Sequence, residues 1–137
     1  MSITYTSERS LSPDEFIDLL NRSTLGKRRP VDDADTIRGM VENTNLIVTA
    51  WDNTLLVGLA RSMTDFHYAC YLSDLAVDQN YQRQGIGKHL LQLTVDKLGA
   101  NCKLLLVSAP DANDYYPALG FEACERTWVL PRGGNIQ

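Results

Sequence analysis

Residues Asp74 to Gly99 read DLAVDQNYQRQGIGKHLLQLTVDKLG, and the rest of the chain is organised around them. Leu75, Ala76 and Val77 make an apolar strand end, and Asp78-Gln79-Asn80 break it with turn residues. The loop Gln82-Arg83-Gln84-Gly85-Ile86-Gly87 follows. Lys88-His89 then leads into Leu90, Leu91, Leu93, Val95 and Leu98, with Gly99 where a helix C-cap belongs. A glycine-flanked loop that feeds a helix start leaves several backbone N–H groups unpaired around a concavity. With the helix dipole behind them, they form an anion site.

Working outward, Leu46 to Trp51 and Leu55 to Met63 are β-rich runs separated by Asp52-Asn53, which predicts a hairpin. Gly58 inside the second run predicts a bulge or close backbone approach. A strand over His67–Val77 delivers the chain to the glycine loop. Downstream, the pattern predicts a strand over Lys103–Ser108, a short helix around Asp111–Ala118 and a last strand around Thr127–Leu130. Upstream, Ile3 to Thr6 is β-branched. Ser12-Pro13-Asp14-Glu15 is a helix start, with Ser as N-cap, Pro at the first helical position and Glu at the third. A second helix is expected over Asp32–Glu42. Strands first, then strand–helix–strand–helix–strand, describe an α/β protein with one mixed sheet flanked by helices.

The 137 residues suit a single domain, with an N-terminal strand and helical pair over 1–44, a core over 45–130 and a tail over 131–137. A net charge of −4 and a pI near 5.0 argue against a nucleic-acid surface. Cys70, Cys102 and Cys124 are odd in number and have no CxxC pair, so neither a metal site nor a disulfide framework is expected. The first residues lack a signal-peptide pattern and no stretch approaches a membrane span. The expectation is a cytoplasmic protein without a membrane partner.

Two common anions fail the motif test. A P-loop needs GxxxxGK[ST], and here Gly87-Lys88 is followed by His89 with no glycine five positions upstream. A dinucleotide fingerprint needs GxGxxG, and Gly85-Ile86-Gly87 is followed by Lys88-His89-Leu90. What fits is Val77-x-x-x-x-Gln82-x-x-Gly85-x-Gly87, with LAV before the turn and Tyr81 before the glutamine. It resembles motif A (Q/R-x-x-G-x-G/A) of the GNAT superfamily of N-acetyltransferases. Downstream, Ala112, Tyr115, Tyr116, Leu119, Gly120 and Phe121 are similar to that family's A-x-x-F-Y-x-x-L-G-F segment.

The resemblance implies a mostly antiparallel central sheet splayed at a coenzyme A site and flanked by about four helices. The donor it implies is acetyl-CoA, with its pyrophosphate held by backbone N–H groups of Gln82, Arg83, Gln84, Gly85, Ile86, Gly87 and Lys88. Arg83 and Lys88 would add charge near the phosphates. Main-chain groups of Leu75, Ala76 and Val77 would bind the pantetheine arm in the gap between two strands. Tyr116 matches the family tyrosine that protonates the departing thiolate, a role that suits a phenol with pKa about 10. An asparagine often found seven residues before that tyrosine is Ala109 here, and Ser108 is the candidate to compensate.

A base is harder to find, because no glutamate lies between Arg61 and Val77. Asp74, a carboxylate in the apolar run LSDLAV, is the first candidate, followed by Asp65 and His67. Asp74 and the overall acidity point to a small cationic amine as acceptor. A protein or peptide N-terminus, or a non-catalytic acyl-CoA-binding module, are the rival readings, and a homodimer is a possible assembly.

Overall fold

A computed structural model describes residues 2–137. Their contacts divide the chain into two compact units, Met1–Val107 and Ser108–Gln137.

The first unit holds a five-stranded sheet in the order β1 (Ile3–Thr6), β2 (Leu46–Asp52), β3 (Leu55–Thr64), β4 (Ala69–Val77) and β5 (Lys103–Leu106). Neighbouring strands are antiparallel except β4 and β5, which run parallel. The β2–β3 hairpin turns at Asn53, which takes a left-handed φ of 54°, a conformation asparagine tolerates. Between β1 and β2 lie α1 (Pro13–Arg22), a 3-10 turn at Leu25–Arg28 and α2 (Ala34–Glu42). Helix α1 opens on the capping box written in its sequence: Ser12 Oγ accepts from Glu15 N, and Glu15 Oε1 accepts from Ser12 N, both at 3.1 Å.

Helix α3 (Ile86–Asp96) lies on one face of the sheet and α1 on the other. A Cβ placed on Gly58 would sit 3.0 Å from Leu90 Cδ1 and 3.1 Å from Ile86 Cγ2. Glycine there lets α3 approach β3, as the isolated strand glycine predicts. Three positions along, Arg61 points to the opposite face, with its guanidinium 5.7 Å from the Phe16 ring centre of α1. Phe16, Leu19, Leu20, Ile37, Leu59 and Val48 are fully or almost fully buried between these layers. Cys70 is buried and Cys102 partly so. Among the described residues no helix is long and apolar enough to cross a membrane.

Gly99 is not a C-cap. Helix α3 ends at Asp96 with Lys97 as cap, and the Gly99 N–H donates to Phe66 O at 2.8 Å, where a Cβ would stand 3.1 Å from that same oxygen. The glycine serves close approach between the α3–β5 and β3–β4 connections.

The second unit corrects two expectations. Instead of a helix over 111–118 there are two 3-10 turns, Pro110–Ala112 and Pro117–Leu119. Pro117 has no N–H to continue a helical ladder, and its ring excludes the preceding turn. Residues 127–130 form no strand, and Trp128 is 89% exposed. Strand propensity there meets no neighbouring strand in its own unit.

Candidate active site

The glycine loop begins where β4 ends. Asp78 terminates the strand: its N–H donates to Val57 O of β3 at 2.8 Å, and its Oδ1 accepts from Asn80 N at 2.8 Å. A 3-10 turn at Gln79–Tyr81 follows, tied to β2 by Tyr81 Oη donating to Asp52 Oδ2 at 2.7 Å. That carboxylate raises the Tyr81 pKa. Gln82 Nε2 donates to Val77 O at 3.3 Å, closing the turn on itself. Arg83 (φ 63°) and Gly85 (φ 81°) both adopt the left-handed conformation, and a Cβ on Gly85 would meet nothing within 4 Å. The chain therefore turns sharply around open space.

Helix α3 starts at that space with no side-chain cap. Among the described residues, the N–H groups of Gly85, Ile86, Gly87 and Lys88 find no acceptor in the chain; the first helical bond is His89 N to Gly85 O, 3.0 Å. Arg83, Gln84, Gly85 and Lys88 are exposed, and Ile86 is buried against the sheet. Four uncapped N–H groups at the positive end of a helix, among exposed loop residues, fit a phosphate ligand.

The second feature is a change of direction in β4. On its N-terminal side Tyr68 O accepts from Lys103 N, so even-numbered main-chain groups face β5; at its end Asp78 N donates to β3, so even-numbered groups face β3. The switch occurs at Ser73, which has no partner in β3 because Leu72 pairs with Ser62 and Asp74 with Arg61. One extra residue in a strand reverses its alternation. The main-chain groups of Leu75 and Val77 consequently point away from β3, along an edge that β5 has left, since the last β4–β5 pair is Leu72 with Leu106. This is a strand edge that no neighbouring strand covers, beside an anion site, with its last carbonyl, Val77 O, taken by Gln82 Nε2.

Asp74 does not sit at that edge as an available carboxylate. Its side chain is fully buried. Oδ1 accepts from Arg29 Nε, and Oδ2 from Arg61 Nε at 2.5 Å. Arg29 Nη2 also donates to Ser73 O at 3.0 Å, and Arg61 Nη2 to Ser73 Oγ at 2.9 Å. Arg61 Nη1 reaches Met40 O and Thr44 Oγ1 at the end of α2. A fully buried carboxylate whose two oxygens are each held by a guanidinium is out of reach of an incoming amine, so it supports neither the base assignment nor a cationic acceptor. Asp65 is also engaged. Its Oδ1 accepts from the N–H groups of Tyr68, Ala69 and His67, which lower its pKa to about 2 and make it a poor base. His67 is exposed on the same turn.

Tyr116 and Ser108 belong to the second unit. Tyr116 is half-buried, edge-on to Phe121 (centroids 5.4 Å apart, 73°) and to Tyr115 (5.2 Å, 77°). Burial, and then Tyr115, raise its pKa above the ordinary phenol value, so it keeps its proton at neutral pH. Ser108 Oγ donates to Asn113 Oδ1 at 3.1 Å.

The residues that sequence patterns alone do not reveal here are Arg22, Arg29 and Arg61. A carboxylate in an apolar strand demands a cationic partner, but nothing local says which one.

A family model for the acetyltransferase (GNAT) domain matches residues 21–129. GCN5-related N-acetyltransferase 2, chloroplastic, of Arabidopsis thaliana is 36% identical over 70 residues, which is half of this chain and 27% of that protein. The chain thus spans only about a quarter of that curated relative. A GNAT-family acetyltransferase from Streptococcus pneumoniae superposes with a TM-score of 0.75 at 21% identity, covering 93% of this chain and 98% of that one. A ribosomal-protein-alanine N-acetyltransferase from Brucella melitensis gives 0.70 at 16% identity, covering 95% and 99%. At such identities the two structures speak for the fold, and the family match covers most of the chain. With the family model matched over residues 21–129, the chain belongs to the GNAT acetyltransferase family.

Proposed function

We propose that this protein transfers the acetyl group of acetyl-CoA to a primary amine of a small molecule. The observation that carries the reading is the uncapped start of α3, where the Gly85–Lys88 N–H groups face open space next to the unpaired edge of β4. In this reading those N–H groups hold the pyrophosphate, with Arg83 and Lys88 supplying charge from the exposed rim. Leu75 and Val77 main-chain groups hold the pantetheine arm, extending the sheet where β5 leaves it.

Acetyl-CoA supplies the activated acyl group. As the amine nitrogen bonds to the acyl carbon and the carbon–sulfur bond breaks, Tyr116 Oη donates its proton to the departing thiolate. The raised pKa of Tyr116 supports this role, because the group is fully protonated when the reaction begins. The amine's own proton leaves to solvent, which returns one to the Tyr116 phenolate, since Asp74 is held by two arginines and Asp65, with a pKa of about 2, is a poor base. A net charge of −4 supports a small amine over a polyanionic acceptor.

The test is incubation of acetyl-CoA with a panel of small amines and N-terminal peptides, read as thiol release. Turnover on a small amine supports the proposal. Turnover on peptides alone would replace the acceptor class, and CoA binding without turnover on any member would reduce the protein to a binding module.

A further inference from the structure

Two buried aspartates flank the donor edge, and each is held by an arginine from the same N-terminal segment. Arg22, the last residue of α1, donates through Nη1 to Asp78 Oδ2 at 2.6 Å and through Nη2 to Leu56 O at 2.8 Å. Its third contact, Asp18 Oδ2 at 3.1 Å, is one turn back on α1. Seven residues later, Arg29 caps the Leu25–Arg28 turn and reaches Asp74 and Ser73 O. The two carboxylate side chains are 6% and 0% exposed, and the two arginines 25% and 22%.

Each pair lies at a point where β4 acquires its donor-site geometry. Asp78 uses one carboxylate oxygen for Arg22 and the other for the Asn80 N–H, so Arg22 fixes the turn from which the glycine loop departs. Asp74 and Ser73 form the bulge that turns the Leu75 and Val77 main-chain groups to the open edge. Ser73 O, which has no ladder position opposite it in β3, is satisfied by Arg29. A buried carbonyl or carboxylate without its donor is expensive, so each arginine holds its site in one geometry.

We propose that Arg22 and Arg29 are positioning residues that hold the donor site at two separate points: Arg22 aligns the pyrophosphate loop through Asp78, and Arg29 aligns the pantetheine edge through Asp74 and the Ser73 bulge. The proposal rests on the CoA reading above. It makes the N-terminal helical segment a functional part of donor binding, although none of its residues touches the loop's own N–H groups.

Because the two points serve different parts of one ligand, they are separable with fragments. Binding of coenzyme A and of its nucleotide half, 3′-phosphoadenosine 5′-diphosphate, is measured by calorimetry on the unaltered protein, Arg22→Met and Arg29→Met. Arg22→Met should weaken both ligands by about tenfold, the worth of one or two charged hydrogen bonds. Arg29→Met should weaken coenzyme A by about tenfold and leave the nucleotide half within about twofold. A purely structural role would weaken both ligands in parallel in both variants, and that pattern overturns the proposal, as does the absence of any change.

Should Arg22→Met fail to fold, Asp78→Asn reads the same pair, since it keeps an oxygen for the Asn80 N–H while removing the charge. Arg29→Lys does so for the other pair. If the unaltered protein binds no coenzyme A, the functional reading falls and the positioning roles with it. If it binds normally and the variants show no selectivity, only the positioning roles fall.

Discussion

Replacing Asp74 by Asn separates the buried-clamp account from a catalytic-base account, because the two predict opposite effects. In the folded protein both carboxylate oxygens accept guanidinium N–H groups, and the side chain is out of contact with water. Asparagine keeps one oxygen and presents an NH2 group to the other arginine, so a donor faces a donor. Arg29 is partly exposed and can turn to solvent, but Arg61 is 3% exposed and cannot. Removing one partner of a buried ion pair costs about 3–5 kcal/mol. For a chain of 137 residues, an unfolding entropy of about 2.1 cal/mol/K per residue converts that to a Tm lower by roughly 10–17 °C. Thermal unfolding followed by circular dichroism at pH 7 reads the shift directly. A fall of less than about 3 °C, outside what loss of this pair allows, together with a pH–rate profile that has lost its acidic limb, would refute the clamp and reinstate Asp74 as the base.

Tyr116→Phe removes the proton donor and keeps the ring that packs on Phe121; turnover should fall about 100-fold or more, with coenzyme A affinity within about twofold in a direct titration. Gly58→Ala places a Cβ 3.0 Å from Leu90 Cδ1 and 3.1 Å from Ile86 Cγ2. The overpacking should cost about 1–3 kcal/mol in denaturant unfolding and, by displacing Ile86, also weaken coenzyme A binding. Asp65 is held near pKa 2 by three N–H groups, below its unfolded value. The stability it provides is therefore complete above about pH 4 and lost as pH falls toward 2. The Tm gap between the unaltered protein and Asp65→Ala should close over that interval; a constant gap would show that the carboxylate charge contributes nothing to the turn.

The local code was legible where a few adjacent residues decide the outcome. Ser12, Pro13 and Glu15 specify a capping box, and the hairpin between β2 and β3 forms as its turn residues predict. The strand–turn–glycine loop–helix order from Asp74 onward is likewise read correctly, because glycine and apolar spacing act within one or two turns. Partners distant in sequence were not legible. Asp74 meets Arg29 and Arg61 across 45 and 13 residues, and the same apolar context that made it look like a functional carboxylate is what requires those cations. The bulge at Ser73 has no sequence signature of its own, since it follows from which β3 residues pair with Leu72 and Asp74. Propensity misled in the second unit. Pro117 overrides helical spacing over 111–118, and residues 127–130 remain irregular despite their β-prone side chains.

The central claim is that the uncapped start of α3 is the phosphate site of a coenzyme A-dependent acetyltransferase. Amide chemical shifts in a titration with coenzyme A test it residue by residue. The N–H protons of Gly85, Ile86, Gly87 and Lys88, which have no acceptor among the described residues, should show the largest downfield movement and saturate together. Unmoved resonances at these four positions, with or without saturable shifts elsewhere, would contradict the account.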